Sequence, residues 1–571
     1  MAEWVILQKD HTALGDPGGV PDAVIKILER RGVPKEQMED FFAEMPKTTY
    51  DPFKMNDLKE AVLRLLDAAA KGKRICVYGD YDADGVTSTT LMFSVLKHFT
   101  DNVRYFIPSR FVDGYGLNNE AIDRLHEDGV ELLLTVDCGS TSLAEIGHAK
   151  ELGMEVIVTD HHTPGPEAPA CLFVNPKRSD NTYPYRELCG CGVAFKIAQG
   201  IVRISELRGD DRFTRADMNE LLDLVAIATV ADVVSLLDEN RTLVKYGLMY
   251  INDHRRQGLN VLLEALHIYD RKISSEDIAF IIAPHINALG RMQSADLGVE
   301  LLLGDKSKEE LKKLAQAMVD NNAERKAVQD DTRKICMESI EKGGCGDLMP
   351  IIFAPGAHEG VAGIVAGNLK ESLYKPVCIV TPIGDGLLKG TGRSVPGVNM
   401  HGLFSVCSGL FTRFGGHAGA CGFTLPEENL EAFRSAMQEE MQKLLDAQPE
   451  LLTEKLYIEK VLSSGEKNLA FADMLAKLEP FGESNERPLF CMLNAGVVST
   501  YYMGVERQHV RFTVMTGDSI PVECILFRKA AEYSSILYRG ASVDVAGELS
   551  VNEYSGRKLQ MIVRDLKGAK Q

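Results

Sequence analysis

Three short apolar runs in this chain each stop at an acidic residue, and that repeat limits the folds open to it more than any other feature. Arg74–Thr90 reads RICVYGDYDADGVTSTT, a β-rich run leading straight into Asp80, Asp82 and Asp84. Leu132–Val136 ends at Asp137, followed by Cys138, Gly139 and Ser140. Val156–Thr159 ends at Asp160, His161 and His162. A further β-rich run lies at Val103–Ile107, and amphipathic stretches at Thr87–His98 and Asn118–Asp128 separate the runs. Strands alternating with helices predict a parallel sheet with helices on its faces. Such a sheet gathers ligands outside the carboxyl ends of its strands, where these acids fall.

Alternating carboxylates at a strand end repel one another unless a cation sits among them, and oxygen ligands suit hard divalent ions. A solvated Asp-rich turn would explain one such motif but not three. Imidazole beside carboxylates shifts the expected ion from Mg²⁺ toward Mn²⁺. Leu221–Leu237 (LLDLVAIATVADVVSLL) adds a fourth element, because Asp232 lies deep in an apolar stretch. An ionised carboxylate there needs a cation or strong hydrogen bonds. Together, five carboxylates and one or two imidazoles suffice for two ions sharing a bridging Asp. Two ions about 3.5–4 Å apart are the usual apparatus of phosphoryl hydrolysis. The expected chemistry is metal-assisted attack of hydroxide on a phosphoester.

The remaining sequence divides by texture. Residues 1–70 read as helices and loops, with Val24, Ile27 and Leu28 at helical spacing. Residues 193–345 read mainly as helices, and Ser307–Lys342 is a long polar-faced helix suited to connecting two lobes. A second β/α texture begins at Met349–Phe353 and carries a Gly-rich stretch at Gly415–Gly422. After Leu456 come short alternating strands, Val510–Met515, Val522–Phe527, Ser542–Leu549 and Lys558–Val563, the pattern of a small β-barrel. The expected fold class is α/β: two α/β lobes, the first with a parallel sheet, joined by a long helix and followed by a C-terminal β-barrel. The expected boundaries are 1–50, 51–300, 301–345, 346–455 and 456–571.

Charge supports this division. The chain carries a formal −19, yet residues 456–571 hold 14 basic and 14 acidic residues, so the acidity belongs to the body. Twelve scattered cysteines, with no CxxC, suit a reducing compartment. No apolar run reaches the ~18–20 residues a membrane span needs. The opening MAEWVILQKDH has no export-signal pattern, so a cytoplasmic protein is expected.

The motifs DYDADG (80–85), VDCGS (136–140), TDHH (159–162) and ADVVSL (231–236) resemble the DHH phosphoesterase superfamily. GAHEGVAGIVAGNL (356–369), KGTGRS (389–394) and FGGHAGACGF (414–423) resemble its associated DHHA1 domain. IPSRFVDGYGL (107–117), YPYRELCGCGVAFK (183–196), INALGRM (286–292) and LEPFGESNERPLF (478–490) are similar to the RecJ family of single-strand-specific 5′→3′ DNA exonucleases. The resemblance implies a metal-dependent enzyme that degrades single-stranded DNA to 5′-mononucleotides in repair and recombination. Asp80 and Asp82 would hold one ion, Asp84, His161 and Asp232 the other, and Asp137 would bridge. The ions would be Mn²⁺, with Mg²⁺ possible. His162 would face the scissile phosphate, and Asp160 would orient imidazole rather than bind metal.

The resemblance also implies where substrate goes. Backbone N–H groups at Gly392 and Gly415–Gly416 can approach a phosphate closely, with Arg393, Ser394, His417 and His358 as side-chain donors for the terminal nucleotide. Arg110, Asn287 and Arg291 look like residues of the strand channel. The barrel, read as an OB-fold, offers Tyr501, Tyr502, Phe512, Phe527 and Tyr554 among Arg507, Arg511, Arg528, Lys529, Arg557 and Lys558. About half of these aromatics should be core. A helicase or single-strand-binding protein is the expected partner of a monomeric enzyme.

The main rival is a two-lobed DHH/DHHA1 phosphodiesterase for short oligonucleotides or cyclic dinucleotides. It leaves residues 456–571 without a purpose. A pyrophosphatase of the same superfamily has His where Tyr78 stands here. A scaffold that had lost its metals would lack ligands, and all six are present.

Overall fold

The computed structural model describes residues 2–8, 19–109, 116–292, 294–553 and 556–569. It comprises two compact units, one of residues 5–319 and 457–571, the other of residues 1–4 and 320–456.

The larger unit contains the sheet expected from the acid-terminated runs. Strands β1 (Ile75–Tyr78), β2 (Val103–Phe106), β3 (Leu132–Val136), β4 (Glu155–Thr159) and β5 (Leu172–Val174) are all parallel, in the order β2-β1-β3-β4-β5. β1 and β3 are buried along their whole length, as unbroken apolar runs in a covered parallel sheet should be. Helices α1 (Ala83–Lys97), α2 (Gly190–Arg208) and α3 (Leu222–Ala231) share one hydrophobic core with that sheet. α3 is apolar on every side and buried from Leu222 to Val230. It stops at Asp232, and α4 (Asp238–Asn252) follows after a short turn.

The same unit holds the C-terminal barrel. β11 (Leu489–Met503), β12 (His509–Met515), β13 (Pro521–Leu526), β14 (Ser542–Asn552) and β15 (Lys558–Gly568) run in the order β11-β12-β13-β15-β14. Pairing of β11 with β14 closes the ring. The helix Asp22–Arg30 forms where Val24, Ile27 and Leu28 are spaced for one. Its apolar residues Val24, Ile27 and Leu28 belong to the same hydrophobic cluster as Phe490, Phe512 and Val543 of the barrel. Glu3–Gln8 is a strand, where helices and loops were expected.

The smaller unit has a mixed sheet of β6 (Ile351–Phe353), β7 (Val377–Gly384), β8 (Leu387–Arg393), β9 (Arg413–His417) and β10 (Ala420–Pro426), in the order β9-β10-β8-β7-β6. α7 (Glu359–Leu373) packs on it. The long helix α6 (Lys308–Lys342) begins in one unit and ends in the other. Among the described residues no helix is long and apolar enough to cross a membrane.

Candidate metal centre

The end of β1 runs into α1 through Asp80, Asp82 and Asp84. Asp82 caps α1, its Oδ1 accepting from Gly85 N–H at 3.0 Å. A Cβ on Gly85 would lie 2.3 Å from the carbonyl oxygen of Asp80, so glycine is what lets the helix start close against that residue. Asp84 faces inward from the first turn and is buried. Its two oxygens accept from Gly190 N–H (2.6 Å) and Cys191 N–H (2.7 Å), buried donors at the start of α2 that have no partner within the helix. A Cβ on Gly190 would meet Asp137 Oδ1 at 2.6 Å, so that glycine is also required by close approach. Asp137, one residue beyond β3, adopts a left-handed φ of 61°.

His161, just past β4, is the meeting point. Its Nε2 lies 3.1 Å from Asp137 Oδ1 and 3.6 Å from both Asp84 Oδ2 and Asp232 Oδ2. His162 Nδ1 lies 2.8 Å from Asp160 Oδ1 and 3.9 Å from Asp137 Oδ1. Three overlapping sets of donor atoms result, each within 4.8 Å: Asp80 with Asp82 and Asp137; Asp84 with His161 and Asp232; and Asp137 with Asp160, His161 and His162. Among the described residues neither Asp137 Oδ1 nor His161 Nε2 has a hydrogen-bond partner, although both are buried and only 3.1 Å apart. Buried acceptors facing one another without donors fit a divalent cation.

The electrostatics describe the same strain. Burial, then the charge of Asp82, lifts the Asp84 carboxyl to about 6. Burial, then Asp84 and Asp82, lifts Asp232 to about 8. Asp137 is pushed well up by burial and by the surrounding carboxylates. Burial, then the neighbouring His162, drives His161 down to about 3, leaving a neutral imidazole able to ligate. Burial opposes a charge on His162, but the hydrogen bond to Asp160 and that residue's charge prevail and raise it to about 9. Asp160 also accepts from the main-chain N–H groups of Ser140, His161 and His162, and these bonds together with His162 hold it low despite burial.

Comparison with known proteins accords with this geometry. The model of the DHH family, N-terminal domain, matches residues 74–229, that of the DHHA1 domain residues 348–443, and that of the RecJ OB domain residues 458–565. The single-stranded-DNA-specific exonuclease RecJ of Bacillus subtilis (strain 168) is 35% identical, covering 98% of this chain and 70% of its own. The Escherichia coli (strain K12) protein of that name is 34% identical over 96% of both chains. The crystal structure of RecJ in complex with Mn²⁺ from Thermus thermophilus matches with a TM-score of 0.82 at 29% identity, covering 100% of this chain and 80% of that one. The chain belongs to the RecJ family.

Other residues that the RecJ resemblance singled out lie in several places. Asn287 Oδ1 accepts from Ala83 N–H at 2.7 Å, which ties α5 (Ala283–Met292) to the DYDADG loop, and Arg291 is half-buried one turn further on that helix. Arg110 lies outside the described residues, as does Tyr554 of the barrel. In the smaller unit His358 caps α7, its Nδ1 accepting from Gly360 N–H. Arg393 donates to Gly392 O and packs against Gly363 of α7. The Ser394 hydroxyl is buried and donates to Val398 O at 2.7 Å, closing a turn. Gly416 has a φ of 144° and His417 is exposed beside it on the β9–β10 hairpin.

One further residue at the metal centre was not read from sequence. Asn175, fully buried, donates from Nδ2 to Ser140 Oγ (2.8 Å) and to His162 O (2.9 Å). It thereby ties the loop after β3 to the loop after β4. Its signal was there: Leu172–Val174 is another apolar run ended by a polar residue.

Proposed function

We propose that this chain hydrolyses single-stranded DNA from the 5′ end, releasing 5′-mononucleotides, with two divalent ions, Mn²⁺ or alternatively Mg²⁺. In this reading Asp80 and Asp82 hold one ion, Asp84, His161 and Asp232 the other, and Asp137 bridges them. Bound there, the ions would lower the pKa of a shared water and neutralise charge on the scissile phosphate. The neutral His161 ligates, while Asp160 fixes the ring of His162 through Nδ1. Held by Asp160, His162 would present Nε2 to the phosphate or to the departing oxygen.

The remaining assignments follow the division of the chain. Residues 51–300 form the catalytic domain, 301–345 the connecting helix and 346–455 the DHHA1 domain. His358, Arg393, Ser394, Gly416 and His417 of the latter receive the terminal nucleotide. Arg110, Asn287 and Arg291 line the strand's approach, and residues 456–571 bind the strand further back. A helicase or single-strand-binding protein presents the substrate to a monomeric, cytoplasmic enzyme.

The observation that carries this reading is the convergence of six side chains, from four separate chain segments, into two adjoining sets of donor atoms that meet at Asp137 and His161. The test is digestion of single strands labelled at either end, with Mn²⁺, Mg²⁺ or chelator. Early release of a 5′ label as mononucleotide, dependent on metal, is expected. Release of the 3′ label first, or hydrolysis in chelator, contradicts it.

A further inference from the structure

The segment Leu478–Glu486 leads into the barrel, and the mechanism above does not use it. Neighbouring elements nevertheless grip it at several points. Arg241, buried on α4, donates to Phe41 O (3.1 Å), Leu478 O (2.9 Å), Lys477 O (3.3 Å) and Glu479 O (2.7 Å). Its guanidinium also stacks 3.6 Å over the Phe41 ring. Ser275 Oγ donates to Phe481 O at 2.7 Å. Asn485, fully buried, closes the segment on itself by donating to Leu478 O (2.8 Å) and Pro480 O (2.7 Å), while its Oδ1 accepts from Arg31 (2.6 Å).

The last grip falls on the turn that carries Asp232. Leu236 N–H donates to Glu483 O at 2.9 Å. Gly482 packs so closely on the Leu236 side chain that a Cβ would stand 2.5 Å from Cδ1. That turn does not hold itself. Val233, β-branched and exposed, has a left-handed φ of 56°, a conformation that costs about 1–3 kcal/mol and persists only where surroundings enforce it. Tyr185 Oη donates to Ser235 O and Leu237 O, Asn240 Nδ2 donates to Ser235 O, and Leu237 packs against the hydrophobic cluster that the barrel shares with the N-terminal segment. Among the described residues no hydrogen bond orients the Asp232 carboxylate; its N–H donates to Ala228 O at 2.9 Å as the cap of α3, and the turn that follows holds it from the other side.

We infer that the lead-in is a brace for the metal-ligand turn: Gly482 and Glu483 are positioning residues that set Asp232 through Leu236, coupling the seating of the barrel to completion of the metal site. This rests on the metal reading proposed above.

The test is Mn²⁺ titration by electron paramagnetic resonance on the full chain, wild type against Gly482→Ala. DNA affinity is measured in parallel in chelator. Backbone geometry admits alanine at 482, so the variant acts by pressing on Leu236. The expected result is two bound Mn²⁺ in wild type and about 10-fold weaker binding of one of them in the variant, the scale on which supports behind metal ligands act. The lost turnover should return at high Mn²⁺ with KM for DNA unchanged, and Leu236→Val, which removes the colliding Cδ1, should restore affinity in the double variant. Asn485→Ala loosens the brace from its other side and should weaken the same ion, which carries the test if Gly482→Ala does not fold. Wild-type Mn²⁺ affinity in both variants overturns the brace alone. A wild-type chain that binds no Mn²⁺ overturns the metal reading as well.

Discussion

Replacing Asp137 with Ala removes the carboxylate common to two of the three ligand sets while leaving the barrel and the Gly-rich hairpin untouched. Asp137→Ala should therefore lower kcat by on the order of 10³ or more, with DNA affinity within about two-fold of wild type. Turnover close to wild type in that variant would contradict the assignment. The same carboxylates make the metal-free chain sensitive to pH. Asp84 and Asp232 titrate at about 6 and about 8 in the fold, against about 3.9 for an unfolded aspartate. The metal-free fold thus binds more protons than the unfolded chain over this range. The stability they contribute is complete below about pH 4 and is lost as pH rises through both folded values. Mn²⁺ takes the place of those protons, so its gain in Tm should be larger at about pH 8 than at about pH 5. Equal gains in calorimetry would mean that the carboxylates are not the ligands.

At the scale of elements, the parallel sheet was legible because its strands are short apolar runs, three of which lead into Asp80, Asp137 and Asp160. The choice of His161 over Asp160 as a ligand came from the family resemblance, not from that pattern. The start of α2 was not legible as part of the site: Gly190 and Cys191 act through main-chain N–H groups on Asp84, more than a hundred residues away, and side-chain chemistry gives no hint of it. Gly190→Ala puts a methyl group against Asp137 and should reduce kcat and Mn²⁺ affinity by about 10- to 100-fold with the helical content of the fold retained. Circular dichroism beside a metal titration checks both halves. Strand β11 escaped sequence reading for a different reason: register shifts near Met492–Ala495 in its pairing with β14 and near Val497–Ser499 in its pairing with β12 break its alternation. Val24, Ile27 and Leu28 announced a helix, but not that its face would join the hydrophobic cluster of a barrel more than four hundred residues later.

For the whole molecule, the proposed function assigns catalysis to the acidic body and holding of the strand to the charge-balanced barrel. Of the barrel's aromatics, Phe512 is core, whereas Tyr501 is 61% and Phe527 50% exposed, with Arg511 lying 5.5 Å over the Tyr501 ring. Tyr501→Ala and Phe527→Ala should each weaken binding of a long strand by about 1–3 kcal/mol, and turnover of a strand too short to reach the barrel should be unchanged. Fluorescence anisotropy with long and short strands checks this, and equal losses on both would remove the barrel from strand binding. Beneath all of this lies the claim that side chains from four chain segments enclose a pair of divalent ions. Anomalous diffraction at the manganese edge from Mn²⁺-soaked crystals tests it most directly. The account predicts two peaks, both contacted by Asp137, one flanked by Asp80 and Asp82 and the other by Asp84, His161 and Asp232. No anomalous density among these residues, with ordered Mn²⁺ elsewhere on the chain, would contradict it.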